Sequence, residues 1–175
     1  MFILPNDLWE DVHIIHGNHH IFAACKRLAE TRPQWLFEED VHEAAKNGHF
    51  KLLQWLRAKG CPWNERICAS AALGGHLEVL EWARANGCPW DKCTSKYAAW
   101  GGHLEVLKWV RAKGCPWDED ICAYAAWSGH LKVLQWAHAN GCPWDEDTCA
   151  CAADGGHLEV LQWLHAKGCP PSGIL

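Results

Sequence analysis

The stretch GGHLEVLKWVRAKGCPWDED, residues 101–120, decides the fold because close variants of it recur along the chain. Two marker positions in it, a histidine and the cysteine of a Cys-Pro pair, return at a constant step of 27 residues. They are His49, His76, His103, His130 and His157, and Cys61, Cys88, Cys115, Cys142 and Cys169. A fixed period of roughly 20 to 50 residues indicates stacked repeats. We therefore number five units 1 to 5: 37–63, 64–90, 91–117, 118–144 and 145–171.

The sequence of each unit predicts two helices joined by tight turns. Unit 4 shows the pattern: Asp118 is suited to cap a first helix, and Ser128-Gly129 interrupts that helix. A second, amphipathic helix begins near His130 and ends at Gly141, where a left-handed residue is expected. The other units place Asn64, Asp91 and Asp145 at the cap, and Gly60, Gly87 and Gly114 at the second helix end. Paired alanines in each first helix allow helices to approach closely.

The linkers between units are short, about five residues, which is too few for a well-formed β-hairpin. The sequence therefore predicts an all-α solenoid of stacked helix-turn-helix units with abbreviated or absent β-hairpins. Tryptophan recurs on the second helix and before the cap, and nine such side chains are expected in the core or between units: Trp55, Trp63, Trp82, Trp90, Trp109, Trp117, Trp136, Trp144 and Trp163.

The consensus AAxxGHLEVLxWLxxxGC resembles the ankyrin repeat, with its paired alanines, Gly-His, amphipathic second helix and terminal glycine. The resemblance extends over all five units of residues 37–175. The step of 27 residues is shorter than the family's usual repeat of about 33, and the Thr-Pro-Leu-His opening is replaced by stretches such as ICAY. Membership of this family implies a non-catalytic platform that binds proteins.

Residues 1–36 lie outside the repeats and admit two interpretations. Leu4-Pro5 and Cys25-Lys26-Arg27 resemble an F-box-like helix cluster, although Leu28 stands where that family usually has Trp. The other interpretation is a helical cap, since a terminal element must shield the first unit of a stack. An F-box-like element implies an adaptor that presents substrates to a cullin-RING ubiquitin ligase.

Composition excludes several other classes. The formal net charge of −5 argues against a nucleic-acid partner, which usually requires a basic stripe. The N-terminus lacks the basic flank of a secretory signal, and no apolar run is long enough to span a membrane. Eleven cysteines, most of them in phase with the repeat, are expected to be packing residues in a reducing compartment. We therefore expect an intracellular, cytoplasmic protein, with the nucleus also open.

No motif for chemistry stands out from the repeat. The recurring histidines each open a helix, where the ring can bond neighbouring backbone, and zinc sites need closer ligand pairs than the chain offers. A catalytic cysteine would need a unique base and an orienting group, whereas here every candidate recurs with the units. We therefore expect no metal, no cofactor and no enzymatic activity.

The resemblance also implies a binding surface. In ankyrin arrays the two positions after the paired alanines commonly face a concave groove and contact partners. The residue type at the first position varies between units, so stacking does not dictate it. In two units the residue one turn earlier is a tyrosine, which is expected to lie beside the first position. The expected partner-binding residues are Lys46, Leu73, Tyr97, Trp100, Tyr124, Trp127 and Asp154. The alternative is that Trp100 and Trp127 only fill the space between units.

Overall fold

The computed structural model describes residues 36–169 except Lys59 and Pro62. The stretch 1–35, which carries most of the F-box-like or capping element, lies outside the described residues. Within the described part the chain forms ten α-helices and no strand, which confirms the all-α prediction. The helices are α1 Leu36–Lys46, α2 Phe50–Ala58, α3 Glu65–Gly74, α4 Leu77–Ala85, α5 Lys92–Trp100, α6 Leu104–Ala112, α7 Asp120–Trp127, α8 Leu131–Ala139, α9 Glu146–Asp154 and α10 Leu158–Ala166.

The helices pair within each unit and stack between units. Each second helix packs against the first helix of its own unit, as α4 does against α3 and α6 against α5. The first helices α1, α3, α5, α7 and α9 follow one another side by side and make the most extensive contacts of the array. The carboxyl ends of consecutive first helices are therefore neighbours, and this arrangement positions the candidate site.

The paired alanines are what lets the first helices lie so close. Ala71, Ala72, Ala98 and Ala99 are completely buried. Branched residues of the second helices fill the space beside them, and Leu80, Leu107 and Leu134 are completely buried as well. Small residues on one helix and large ones on the facing helix can interdigitate closely.

The predicted helix caps are confirmed in three units and wrong in one. The Asn64 side chain accepts from the Arg66 amide, Asp91 from Cys93 and Asp145 from Thr148. In unit 4 the helix begins one residue later, at Asp120, and Asp118 makes no cap bond. Its carboxylate instead pairs with Lys92 of the preceding unit, with Nζ and Oδ2 2.9 Å apart.

The predicted left-handed glycines at the ends of the second helices are confirmed. Gly60, Gly87, Gly114 and Gly141 have φ angles of 79°, 79°, 78° and 78°. A Cβ at any of these positions would meet no atom within 4 Å. Glycine is therefore required there by backbone conformation and not by crowding.

The tryptophans before the caps join consecutive units, as expected. Trp90 lies between the Arg84 guanidinium of the preceding helix, 4.1 Å from its ring centroid, and the edge of Trp109 in the next unit, 5.8 Å away. Trp117 repeats this arrangement between Arg111 and Trp136. The indole therefore contributes both apolar contact and a cation–π interaction to each junction.

The last described unit leaves part of its packing surface uncovered. Ala153 is exposed, unlike the equivalent alanines of the other units. Leu158 is 67% exposed, although its counterparts Leu77, Leu104 and Leu131 are partly buried against the core. Trp127 is the other large hydrophobic side chain that is exposed in the part of the chain described.

Candidate binding surface

Four aromatic side chains meet where the first helices of units 3 and 4 end. Tyr97 and Trp100 occupy the last turn of α5, and Tyr124 and Trp127 occupy the last turn of α7. The Trp100 ring has centroid distances of 5.7 Å to Tyr97, 5.6 Å to Tyr124 and 6.0 Å to Trp127. We call these four residues the aromatic cluster. The two pairs of aromatic side chains lie side by side because α5 and α7, the helices that carry them, stack directly against each other.

Members of the aromatic cluster differ in exposure. Trp100, Tyr97 and Tyr124 are half-buried, since each ring is covered by its neighbours. Trp127 is 45% exposed and stands at one edge of the cluster. An edge-on contact with Trp100, at an interplanar angle of 68°, fixes its orientation. Trp100 therefore fills space between units, whereas Trp127 presents much of its surface outward.

A cleft lies on each side of the aromatic cluster. The smaller, of about 340 Å³, lies between α3 and α5, and Leu73, Tyr97, Trp100 and Arg66 are among its lining residues. The larger, of about 630 Å³, lies between α7 and α9 and is called the α7–α9 cleft. Its lining residues are Trp100, Asp120, Ala123, Tyr124, Trp127, Asp147, Ala150, Cys151 and Asp154.

The two clefts account for six of the seven residues that the sequence places on the surface. Leu73, Tyr97 and Trp100 line the smaller cleft, and Trp100, Tyr124, Trp127 and Asp154 line the larger. Lys46 is exposed at the end of α1 and is not among the residues lining either cleft. The predicted residues therefore form a continuous surface from unit 2 to unit 5, with Lys46 apart from both clefts.

The α7–α9 cleft is acidic. Asp120, Asp147 and Asp154 line it, and its lining contains no basic side chain. Burial, followed by the nearby carboxylates of Asp147 and Asp154, raises the pKa of the Cys151 thiol above its usual value. The carboxylates therefore produce a negative potential inside the cleft, which disfavours the thiolate.

Comparison with known families identifies the repeat. The family model for ankyrin repeats (many copies) matches residues 41–84 and, overlapping these, 68–111. Residues 41–111 carry ankyrin repeats. A comparison with curated proteins returned no match. Ankyrin repeats form protein-interaction domains and are typically non-catalytic, so a cleft-lined surface on such an array is a place to look for a bound protein.

The second position after the paired alanines does not face the clefts of the ankyrin array, contrary to the sequence-based expectation. A Cβ built on Gly74, Gly101 or Gly155 would clash with the carbonyl oxygen of Lys46, Leu73 or Trp127 in the preceding unit. These glycines are needed because the backbones of consecutive ankyrin units touch there. Of these second positions, Asn47 is exposed, and its amide donates to the Glu43 carboxylate at 2.9 Å.

The histidines interlock consecutive ankyrin units. The His103 ring donates from Nε2 to the Leu73 carbonyl oxygen at 3.0 Å and covers Gly75, where a Cβ would overlap the imidazole. His130 bonds the Trp100 backbone in the same way, and burial lowers its pKa below the usual value. These contacts agree with the structural role that the sequence predicts for the recurring histidines. Among residues 36–169, apart from the two gaps, no three or more His, Cys, Asp or Glu side chains are grouped so that they could hold a metal ion.

The cysteines of the ankyrin units are packing residues with one recurring polar contact. Cys61, Cys88, Cys115, Cys142 and Cys169 are buried and free of disulfides. In units 2, 4 and 5 the first helix carries a further buried thiol, and Cys68 hydrogen-bonds Cys88 while Cys122 does so with Cys142. These hydrogen bonds and burial raise the pKa of Cys68 and of Cys122 well above the usual range.

Sequence reasoning missed two acidic residues of the candidate surface. Asp120 and Asp147 occupy the third position after the Trp, a column in which unit 3 has Cys93. In the sequence they look like ordinary first-turn acids, which favour a helix N-terminus. Variation within this column was the available signal, because stacking does not dictate a column that changes between units.

In the described part of the chain, no helix has the length and apolar character needed to cross a membrane.

Proposed function

We propose that the chain is a non-catalytic interaction scaffold that binds a protein partner through the surface formed by the aromatic cluster and its two clefts. The observation that carries this proposal is the 45% exposure of Trp127, which with Leu158 is one of two exposed large hydrophobic side chains in the described part of the chain and the one that lines a cleft. On a folded protein, an exposed aromatic next to clefts is typical of a contact site.

The aromatic cluster suits a binding surface for a physical reason. Trp127 is already oriented by Trp100, and Trp100 by Tyr97 and Tyr124. A partner that covers these rings therefore loses little side-chain entropy, and this entropy loss is one of the main costs of association. Tryptophan and tyrosine are also the residues in which binding energy is most often concentrated.

The proposed partner-binding residues keep separate roles. Trp127 is the apolar anchor, and Trp100, Tyr97 and Tyr124 support it. Leu73 extends the apolar surface into the smaller cleft, and Asp154 supplies charge at the larger one. The remaining member, Lys46, lies on α1 at the far end of the same row of helices.

The test is affinity purification of the full chain followed by chemical cross-linking and mass spectrometry, with the variant Trp127→Ala. We expect the variant to stay folded and to lose about 2 kcal/mol or more of binding free energy toward a partner cross-linked to this surface. The matched control is Leu158→Ala, which removes the other exposed large side chain at a position outside both clefts. A partner retained by Trp127→Ala but lost with Leu158→Ala would contradict the proposal.

The second function predicted from the sequence is that of a substrate adaptor for a cullin-RING ubiquitin ligase. It depends on Leu4-Pro5 and Cys25-Lys26-Arg27, which resemble an F-box-like element and lie outside the described residues. The test is co-purification of the ligase's F-box-binding subunit with the full chain and with Leu4→Ala/Pro5→Ala. Recovery that depends on this pair would support the adaptor role, and absence of the subunit would remove it.

A further inference from the structure

The array contains an internal example of how a basic side chain is held on this surface. Lys96 of unit 3 extends across to unit 4, where its Nζ lies 5.1 Å from the Tyr124 ring centroid and 3.4 Å from Asp120 Oδ2. The Lys96 side chain is only 17% exposed. Burial opposes its charge, but the Asp120 hydrogen bond and the neighbouring Tyr124 and Asp120 outweigh burial, and the pKa of Lys96 lies above its usual value. An aromatic ring and a carboxylate together therefore stabilise a lysine ammonium here.

One unit further along, the same positions lack the lysine. Ala123 occupies the position of Lys96, whereas the carboxylate is kept, since Asp147 occupies the position of Asp120. The space that a lysine side chain would fill is open and forms part of the α7–α9 cleft, whose volume is about 630 Å³. The wall of this cleft includes the exposed Trp127, so an aromatic face is also present.

Two carboxylates in this cleft have no cation to balance them. Neither Asp147 nor Asp154 forms an ion pair within the part of the chain that the structure describes, whereas Asp120 pairs with Lys96. Asp147 lies in the first turn of α9, where the helix dipole favours a negative charge. Asp154 is the last residue of α9, at the end where the dipole disfavours one. Helix stability therefore does not account for Asp154.

We propose that the α7–α9 cleft binds a lysine or arginine side chain from a basic segment of the protein partner, with Trp127 against the cation and its aliphatic stem and Asp147 and Asp154 paired with its charge. This inference rests on the proposed function and names the chemistry of the partner. The lining of the cleft also includes Ala123, Ala150 and Cys151, which are small and apolar and suit the methylene stem of a basic residue.

Charge excludes the other obvious occupants. An acidic segment would bring its carboxylates close to Asp147 and Asp154 without any basic residue in the cleft lining to receive them. A wholly apolar segment would cover these carboxylates and remove their hydration without supplying a partner, which is costly. A basic segment satisfies both the carboxylates and the aromatic wall.

The experiment measures binding of a labelled peptide of alternating arginine and glycine to the full chain by fluorescence anisotropy, beside the matching glutamate–glycine peptide. We expect the arginine peptide alone to bind and its affinity to fall as salt is raised, since exposed charge pairs are screened. In the variant Asp147→Asn/Asp154→Asn, which changes charge but not shape, the affinity at low salt is expected to drop about tenfold.

The matched control is Glu78→Gln/Glu159→Gln, which changes the net charge by the same amount at exposed positions on α4 and α10. We expect it to bind the arginine peptide within about twofold of the original chain, because both positions lie outside the cleft. Equal losses in the two double variants would show a general charge effect and overturn the proposal. Binding of both peptides alike would overturn it too.

A second readout separates this inference from the proposed function. Both double variants and Trp127→Ala are compared for capture of the cross-linked partner, after circular dichroism has shown that each is folded. Loss of the partner with Trp127→Ala but not with Asp147→Asn/Asp154→Asn would leave the proposed surface in place and overturn the basic-segment site. Retention with Trp127→Ala, with loss of arginine-peptide binding in the aspartate variant, would support the cation site and contradict the aromatic anchor. If the double aspartate variant fails to fold, Asp154→Asn alone replaces it, because removing charge from the end of α9 does not weaken that helix.

Discussion

The thiol of Cys88 donates a hydrogen bond to the carbonyl oxygen of Asn64, with Sγ and O 3.3 Å apart. Asn64 opens its unit as the N-cap of α3, and Cys88 follows the end of α4, so this contact ties the two ends of one unit together. The same bond recurs from Cys115 to Asp91, from Cys142 to Asp118 and from Cys169 to Asp145, at 3.3 to 3.4 Å. Its recurrence explains why cysteine holds this position.

Replacing Cys115 by alanine should remove both the thiol bond and buried volume. Cys115 is 2% exposed, so we expect the free energy of unfolding to fall by about 1–2 kcal/mol. The control is Cys93→Ala, at a half-buried position that lacks this bond, where the loss should be under about 0.5 kcal/mol. Urea denaturation of both variants measures the difference, and equal losses would argue against a special role for the Cys115 contact.

Reducing agents should leave the stability of the described array unchanged. Its ten cysteines are free, and burial, followed by a hydrogen bond with Cys149, raises the pKa of Cys169 to about 12. A thiol with a raised pKa forms little thiolate near neutral pH and therefore reacts slowly. Thermal unfolding with and without dithiothreitol gives the comparison, and a lower melting temperature under reducing conditions would reveal a disulfide.

Two glycines separate backbone strain from crowding. Gly114 has φ 78° in open space, so Gly114→Val should cost about 1–2 kcal/mol through conformation alone. Gly102 has φ 77°, and a Cβ there would lie 2.6 Å from the His130 ring, so even Gly102→Ala should cost more. Asparagine tolerates left-handed backbone, so Gly114→Asn serves as the mild control. Melting temperatures ranked in any other order would contradict these assignments.

The junction between units 2 and 3 should depend on Arg84. Its guanidinium stacks on Trp90 and also donates to the Cys88 carbonyl oxygen. We expect Arg84→Ala to lower the free energy of unfolding by about 1–2 kcal/mol. Arg66→Ala, at an exposed position without a stacked ring, should stay within about 0.5 kcal/mol of the original chain. Denaturant titration of the pair tests this, and similar effects for both would exclude a cation–π contribution.

Acid should weaken the array through His130. Burial, together with the positive charge that His103 and His157 can carry, lowers the pKa of His130 in the folded state, although its bond to the Trp100 backbone opposes the shift. The unfolded chain then takes up a proton more readily, so stability is fully present above about pH 6.5 and falls as the pH is lowered below that value. The variant His130→Gln should show a smaller loss between neutral and mildly acid pH. A loss as large as in the original chain would place the effect elsewhere.

The helices could be predicted from the sequence because their ends are set by local chemistry. Asp91 caps a helix through its own side chain, and Gly114 ends one through its own backbone, so neither depends on a distant residue. The aromatic cluster was also predictable, because Trp100 and Trp127 occupy a column that stacking leaves free to vary.

The sequence-based predictions were wrong where the role of a residue depends on a contact with a neighbouring unit. The cap in unit 4 could not be foreseen from Asp118 alone, because Lys92, in the unit before, takes the carboxylate. Gly101 was expected to face a groove, but it lies against the carbonyl of Leu73. The larger cleft combines Asp147 and Asp154 of unit 5 with Trp127 of unit 4. A comparison of the units position by position does not show that these side chains line the same cleft.

The contact between each imidazole and the glycine of the unit before it has a consequence for how such a chain can change in length. Excising residues 91–117 as a cassette would bring His130 to Gly75, where the departed His103 had been, with the same chemistry on both sides. Duplicating that cassette would likewise preserve the contact between imidazole and glycine at each junction between units. A change of length that moved a residue other than glycine into this position would place a Cβ against the imidazole. The array is therefore expected to grow and shrink in whole steps of 27 residues, and excision of this particular unit would remove Tyr97 and Trp100 from the aromatic cluster.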